Sequence, residues 1–243
     1  MKIEIDTHTH SIASLHAYST IDELVSGAAK HGLKGFVLTE HGPALQGGLP
    51  HPYYFGNLGV LPHQIRGIKL FRGVELNIMD ETGGLDLPVK YLKVLDFVMA
   101  GLHEACFAPA SKTANTRAML AAIENPFVDC ISHPGNRVYP VDYEAVVKAA
   151  ARLGKALEIN NSSFKVRKGS AENCKTIARL AKDFGCLISC GSDAHYQDDV
   201  GRFDAALAVI AEAGIGGEQL INSTLEGFTE FYKHRMAERR RRG

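Results

Sequence analysis

Residues 6–19 read DTHTHSIASLHAYS, and the fold turns on what the three histidines in this stretch, His8, His10 and His16, are placed to do. The apolar Ile3 and Ile5 lead into them, so KIEID (2–6) reads as a strand and the histidines as the residues that follow it. His8 and His10 are two positions apart, so on extended chain both point to the same side.

Six more short apolar runs read as strands: GFVLT (35–39), KLFRGVEL (69–76), DFVMAG (96–101), VDCIS (128–132), ALEIN (156–160) and LISCG (187–191). Several are apolar throughout, as parallel strands covered on both faces are. Amphipathic segments with helix punctuation lie between them. Thr20 with Glu23 forms a capping-box pattern and Gly32 a stop; Asn115, Asp142 and Ser170 stand at cap positions, with Gly154 and Gly185 at stops. Two helices, near 203–213 and 217–235, close the chain.

Chemically potent side chains recur where strands end. His41 lies in LTEHG, Glu75 near the end of the third strand, His103 in AGLHE, His133 in ISHPG, and Asp193 and His195 in CGSDAH. In a closed barrel of alternating strands and helices these ends form one rim, where active sites are built. An open sheet offers only a crevice at its switch point. The expected fold is therefore a seven-stranded (β/α)7 barrel of the TIM-barrel-like kind, with its active site at the C-terminal ends of the strands.

Composition narrows the function. The 243 residues are 45% hydrophobic and 22% charged, and 27 Lys plus Arg balance 27 Asp plus Glu. A neutral chain is a poor general nucleic-acid binder, so nucleic acid is not the expected partner. No apolar run approaches the roughly 20 residues that span a bilayer, and the N-terminus has no signal layout, so a cytoplasmic protein with no membrane partner is expected. The five cysteines are odd in number and mostly sit in apolar runs, as buried free thiols do. Seven imidazoles and two carboxylates on one rim call for a cation. Zinc, iron and manganese all accept this donor set, and nine donors suit two or three ions, with Glu75 able to bridge two of them.

With those residues in place, the H-x-H after the first strand, TEHG (39–42), SHPGN (132–136) and GSDAH (191–195) resemble the PHP (polymerase and histidinol phosphatase) family. HTHSIASLHAYS, AGLHEACFAP, ISHPGNRVY, ALEINNSSF and RKGSAENC look like its YcdX-type phosphatases. The resemblance implies one PHP domain over residues 1–243, a distorted barrel of the PHP type around a trinuclear zinc site; the arginine-rich tail 236–243 reads as a flexible, solvated terminus. His8, His10, Glu75 and Asp193 would hold one ion. The bridging Glu75, His103 and His133 would hold a second, and His16, His41 and His195 a third. Iron or manganese would serve as alternatives to zinc. Glu40 stands where the family usually has Asp, which bears on the orientation of His41. The implied activity is that of a phosphoric monoester hydrolase acting on a small phosphorylated substrate through a metal-bound hydroxide; the similar phosphatases include trimers. A phosphodiesterase or exonuclease of the PHP type, or a metal-binding regulatory domain without catalysis, are the alternatives. Arg137, Asn160, Asn161, Ser162, Ser163 and Lys165 are candidates to grip the substrate, and the loop 41–57 a candidate cover.

Overall fold

In a computed structural model, which describes residues 1–45 and 50–241, strands and helices alternate along the chain. In order they are β1 (Ile5–Thr9), α1 (Ile21–Lys30), β2 (Gly35–Leu38), α2 (Tyr53–Asn57), β3 (Gln64–Ile65), β4 (Ile68–Asn77), α3 (Val89–Leu92), β5 (Phe97–Gly101), α4 (Lys112–Glu124), β6 (Cys130–Ile131), α5 (Tyr143–Arg152), β7 (Ala156–Asn160), α6 (Ser163–Val166), α7 (Ala171–Phe184), β8 (Leu187–Gly191), α8 (Asp204–Glu212) and α9 (Leu225–Arg241). Seven parallel strands pair in the order β1-β2-β4-β5-β6-β7-β8, and short β3 adds an antiparallel edge to β4. The expected seven strands are all present.

The sheet is nearly closed into a barrel, and its seam is sewn by side chains. The Asn222 amide donates to Ile5 O at 2.7 Å and Cys190 O at 2.8 Å, while its oxygen accepts from Cys190 N at 3.1 Å. It thus stands in for ladder bonds between β1 and β8. The hydroxyls of Thr7 and Ser189 meet at 2.7 Å. Asp6 accepts from Ser192 N at 3.1 Å and Gly201 N at 2.9 Å. Past the strand ends, His10 N donates to Ala194 O at 2.9 Å.

One end of the barrel is plugged. Ile5, Val37, Phe71, Phe97, Met99, Cys130 and Ala156 form a buried cluster with Ile221 and with Phe228 of α9. Several of these open their strands, so α9 seals the N-terminal end and leaves the C-terminal end for chemistry. Below the plug, Asp129 is fully buried. It accepts from Arg235 Nε at 3.2 Å and from Arg239, whose guanidinium also donates to Leu95 O at 2.9 Å.

Three local expectations change. β1 begins at Ile5 rather than Lys2 and runs through THT, so the alternation of those residues is itself strand. Helix α4 starts a turn earlier than Asn115: Ser111 caps it, and Asn115, buried inside the helix, donates its amide to Ala110 O and Pro140 O. The tail expected to be flexible from 236 is helical through Arg241, with Arg239 only 1% exposed, because the buried Asp129 requires a cation; 242 and 243 lie outside the described residues. The capping box of Thr20 with Glu23 and the cap by Asp142 are present as expected; Ser170 makes no cap hydrogen bond and accepts from Arg137 N instead.

Removing one member of a buried ion group costs about 3–5 kcal/mol when its partner is left uncompensated. Because Arg235 remains, Arg239→Ala is expected to lower unfolding free energy by about 3 kcal/mol. Urea denaturation checks this; a change under about 0.5 kcal/mol, ordinary for surface sites, would mean a solvated tail after all.

Candidate metal centre

All nine predicted residues reach the C-terminal mouth. His8 is inside β1, with its donor side chain beside His10 just beyond it; Glu75 is near the end of the long β4; His103, His133 and Asp193 each stand two residues past a strand. His16 follows a short 3-10 turn at Ile12–Ser14, and His41 bridges to Glu75 beyond β2. His8, His10, His41, Glu75, His133 and Asp193 are buried, His103 and His195 are partly exposed, and His16 is exposed. Two strand ends need glycine: a Cβ on Gly101 would strike Ser132 Oγ and the His133 ring, and one on Gly191 would strike Glu158 and His8. His133 and Asp193 both adopt positive φ, 33° and 56°, a conformation that costs about 1–3 kcal/mol and persists only where surroundings impose it.

The donor atoms converge. His8 Nε2 and His10 Nε2 lie 3.0 Å apart. From them, Glu75 Oε2 is at 3.2 and 3.6 Å, and Asp193 Oδ1 at 3.5 and 3.3 Å. Tetrahedral zinc with bonds of about 2.0–2.1 Å separates neighbouring ligand atoms by about 3.3–3.4 Å. These five separations bracket that value. The other carboxylate oxygen, Glu75 Oε1, is 3.2 Å from His103 Nε2 and 2.7 Å from His133 Nε2, which are 3.3 Å from each other. Glu75 therefore faces one histidine group with each oxygen. His41 Nδ1 and Glu75 Oε2 are 3.0 Å apart, yet both are buried atoms without a hydrogen bond. Two lone-pair atoms facing a common point without bonding each other fit a shared cation. Beyond them, His16 contacts His41 and His195 at 5.0 Å between ring centroids. The tighter donor set there, within 4.8 Å, is His10, His41 and His195.

Neighbours set the orientation of each ring. His8 Nδ1 is 2.8 Å from Glu158 Oε1, His103 Nδ1 is 2.7 Å from Asn77 Oδ1, and His195 Nδ1 is 3.0 Å from Asp193 O. All three partners are acceptors, so Nδ1 carries the proton and Nε2 is left as the donor atom. Glu158 also accepts from His133 N at 2.8 Å, and Asn77 is itself held by Asp86. Burial disfavours charge on His8, but Glu158, Glu75 and Asp193 outweigh it and push its pKa well above the usual value. The same negative field favours a bound cation. Burial, then the charge of Arg167, pulls His133 down to about 4, and burial holds His10 well below its usual value. Both rings are neutral at neutral pH. Burial works against ionised Glu75, but the surrounding histidines lower its pKa strongly.

Arg167 has no counterpart among the sequence candidates. Its guanidinium donates to Asp193 Oδ2 from both terminal nitrogens at 3.1 Å, and to Asn160 Oδ1 at 3.3 Å. It lines both cavities at the mouth. One, of about 440 Å³, is walled by His16, His41, His195, Ser162 and Lys165; the other, of about 450 Å³, by His103, His133, Leu102, Glu104, Val138 and Lys168. Of the expected grip residues, Ser162 and Lys165 line a cavity. Asn160 and Ser163 are buried braces, Asn161 accepts from Ala205 N and Ala206 N, and Arg137 lines neither cavity. Glu104, next to His103 in the chain, is exposed on a cavity wall. Leu45 brings the 41–57 loop to the mouth, and residues 46–49 of that loop lie outside the described residues. The signal for Glu158 was present, a charge inside the apolar strand ALEIN; that for Arg167 was only its basic segment, KVRK. All five cysteines are free thiols and none joins the donor groups among the described residues. Nor is any described helix long and apolar enough to cross a membrane.

A barrel of this topology with histidines and acids on one rim defines a class, and comparison gives its family: the chain belongs to the PHP domain family, whose model matches residues 6–241. It is 46% identical over 242 residues to a protein named probable phosphatase from Acetivibrio thermocellus, with 100% of both chains covered. It is 52% identical over 237 residues to another so named from Thermoanaerobacter sp., covering 97% of this chain and 96% of that one. Its fold is also that of the histidinol phosphate phosphatase of Lactococcus lactis, solved with zinc, L-histidinol and phosphate (TM-score 0.65, 22% identity, 89% and 95% of the two chains covered).

The His133 shift makes the chelator-treated protein acid-sensitive. Between about pH 6.5 and about pH 4 the unfolded chain binds a proton at His133 that the folded chain refuses, so stability falls as pH falls through that window. The melting temperature should drop accordingly, and less steeply in His133→Gln. Identical pH profiles for the two proteins would show that His133 is not held neutral.

Proposed function

We propose that this protein is a metal-dependent phosphatase that hydrolyses a small phosphomonoester at a centre of three divalent ions, with zinc the best match. The observation that carries the reading is the set of His8, His10, Glu75 and Asp193 donor atoms at the spacing of a tetrahedral ligand shell, beside an anchored arginine. Glu75 bridges to a second position with His103 and His133. His16, His41 and His195 provide a third, supported by their mutual ring contacts. Divalent cations at such a centre supply positive charge for phosphoryl oxygens and lower the pKa of water, which provides a nucleophile near neutral pH.

The chain's own residues bind and orient. Asp193 divides its oxygens: Oδ1 faces His8 and His10, while Oδ2 accepts from Arg167 and Asn160. Arg167 is thereby fixed where the two cavities meet. A guanidinium suits phosphoryl oxygens geometrically, and one already held in place gives its charge without reorganisation. Glu158, through His8 Nδ1 and His133 N, keeps two ligands from rotating away. The cavities leave room for a small organic group on either side.

Three measurements test this together. Elemental analysis should find two or three transition-metal ions per chain, and chelation should abolish phosphate release until zinc or manganese is restored. Arg167→Ala should lower kcat/KM by about 10²-fold, comparable to loss of one positioned charge donor, while metal content stays intact. A monoester should turn over faster than the matching diester. Faster diester cleavage would favour the phosphodiesterase reading, and bound metal without turnover of either ester the regulatory one.

A further inference from the structure

Residues 160–167 carry six polar side chains, and all but two are tied to the protein. The Asn160 amide donates to Glu158 and Asp193, and its oxygen accepts from Ser163 N at 2.9 Å. Asn161 accepts from Ala205 N and Ala206 N. The Ser163 hydroxyl donates to Asn160 and accepts from Arg167, which donates in turn to Asp193. The two left over are Ser162 and Lys165: among the described residues neither side chain has a bonded partner. Both line the same cavity, the one of about 440 Å³ walled by His16, His41 and His195.

The turn of α6 sets this pair up. Residues three apart on a helical turn share a face, with Cβ atoms about 5–6 Å apart. The turn is pinned at both ends, by Asn160 in front and by Arg167 on Asp193 behind. An ammonium and a hydroxyl on one fixed face can both donate, and together they suit an anion with two or three oxygens. The charges on the cavity wall agree. Arg167 and Asp193 pair with each other, and Asp199 lies 3.9 Å from Arg202 Nε. Lys165 therefore leaves this cavity with one uncompensated positive charge. The neighbouring cavity is different, because Glu104 and Lys168 on its wall have opposite signs and cancel.

We propose that Ser162 and Lys165 form a subsite for a second anionic group on the substrate, a carboxylate or a further phosphate, carried by the part of the molecule that leaves. The proposal rests on the phosphatase reading. The ester phosphoryl group sits where the cavities meet, at Arg167, and the leaving group extends along α6 into the cavity of His16, His41 and His195. Lys165 supplies the charge that selects an anion there, and Ser162 a second donor that fixes its orientation. Substrates without the second anion lose this contact and keep the one to Arg167.

The test is specificity within matched pairs, measured on the metal-loaded, full-length protein. In one pair, 3-phosphoglycerate and glycerol 3-phosphate differ by a carboxylate. In the other, fructose 1,6-bisphosphate and fructose 6-phosphate differ by a phosphate. The wild type should favour the member with the extra anion in at least one pair by about 10-fold in kcat/KM, the worth of one hydrogen bond to a charged group. The pair that shows the preference identifies the anion. Lys165→Met should bring that ratio close to one, Lys165→Glu should invert it, and Ser162→Ala should lower it in part, chiefly through KM. No preference in either pair, or a loss in Lys165→Met shared equally by both members, overturns the proposal. Calorimetry with 3-phosphonopropionate against propylphosphonate, neither of which can be hydrolysed as an ester, reads a carboxylate in the subsite without turnover. A protein that hydrolyses no monoester, yet binds the carboxylate-bearing phosphonate more tightly and loses that difference in Lys165→Met, would sink the phosphatase reading and leave the subsite standing.

Discussion

The mouth of this barrel is organised by the burial of one carboxylate. Glu75 is completely removed from water near the end of β4. An uncompensated charge there would cost several kcal/mol. Its surroundings answer that cost from every side: His8, His10 and His41 near one oxygen, His103 and His133 near the other. These residues come from four strand ends besides that of Glu75 itself, so satisfying one buried side chain fixes the register of most of the barrel. Glycine at 101 and 191 and the positive φ of His133 and Asp193 are local costs of that packing.

Around this centre runs a layer of groups that decide how the histidines are oriented. Glu158, Asn77 and the Asp193 carbonyl each take an Nδ1 proton. Asp86 then holds Asn77, and Asn160 links Glu158 to Asp193. The result is a set of rings prepared in one tautomer and direction. Preorganisation of this kind lowers the cost of ordering ligands when an ion binds. Arg167 closes the layer on the solvent side and brings positive charge to the edge of a neutral chain.

The features most legible in the sequence were those with a local cause. Apolar runs of strand length appear as strands, and the histidines and acids after them do share one rim. Thr20 with Glu23 and Asp142 act as caps because a cap depends on residues three positions apart. The misreadings share a different cause. Asn115 looks like a cap, but its amide serves Pro140, 25 residues away. The C-terminal arginines look solvated, but Arg239 answers Asp129, 110 residues earlier. Arg167 lies in an unremarkable basic segment until Asp193 anchors it. Each depends on a long-range partner that no local pattern reveals. The first strand was displaced because Ile3 and Ile5 alternate convincingly, while the pairing with β2 begins only at Ile5.

The seam adds one more consequence. Asn222 and Asp6 join the first strand to the last, and the donor group of His8, His10 and Asp193 spans the same join. Two of its three residues are made in the first tenth of the chain, and the third only when residue 193 has been synthesised. During translation the early histidines must wait, exposed, for most of the protein to emerge. An ion held across the join would then act as a clasp on the finished barrel, and a truncated chain, lacking the last strand, would have nothing to close it with.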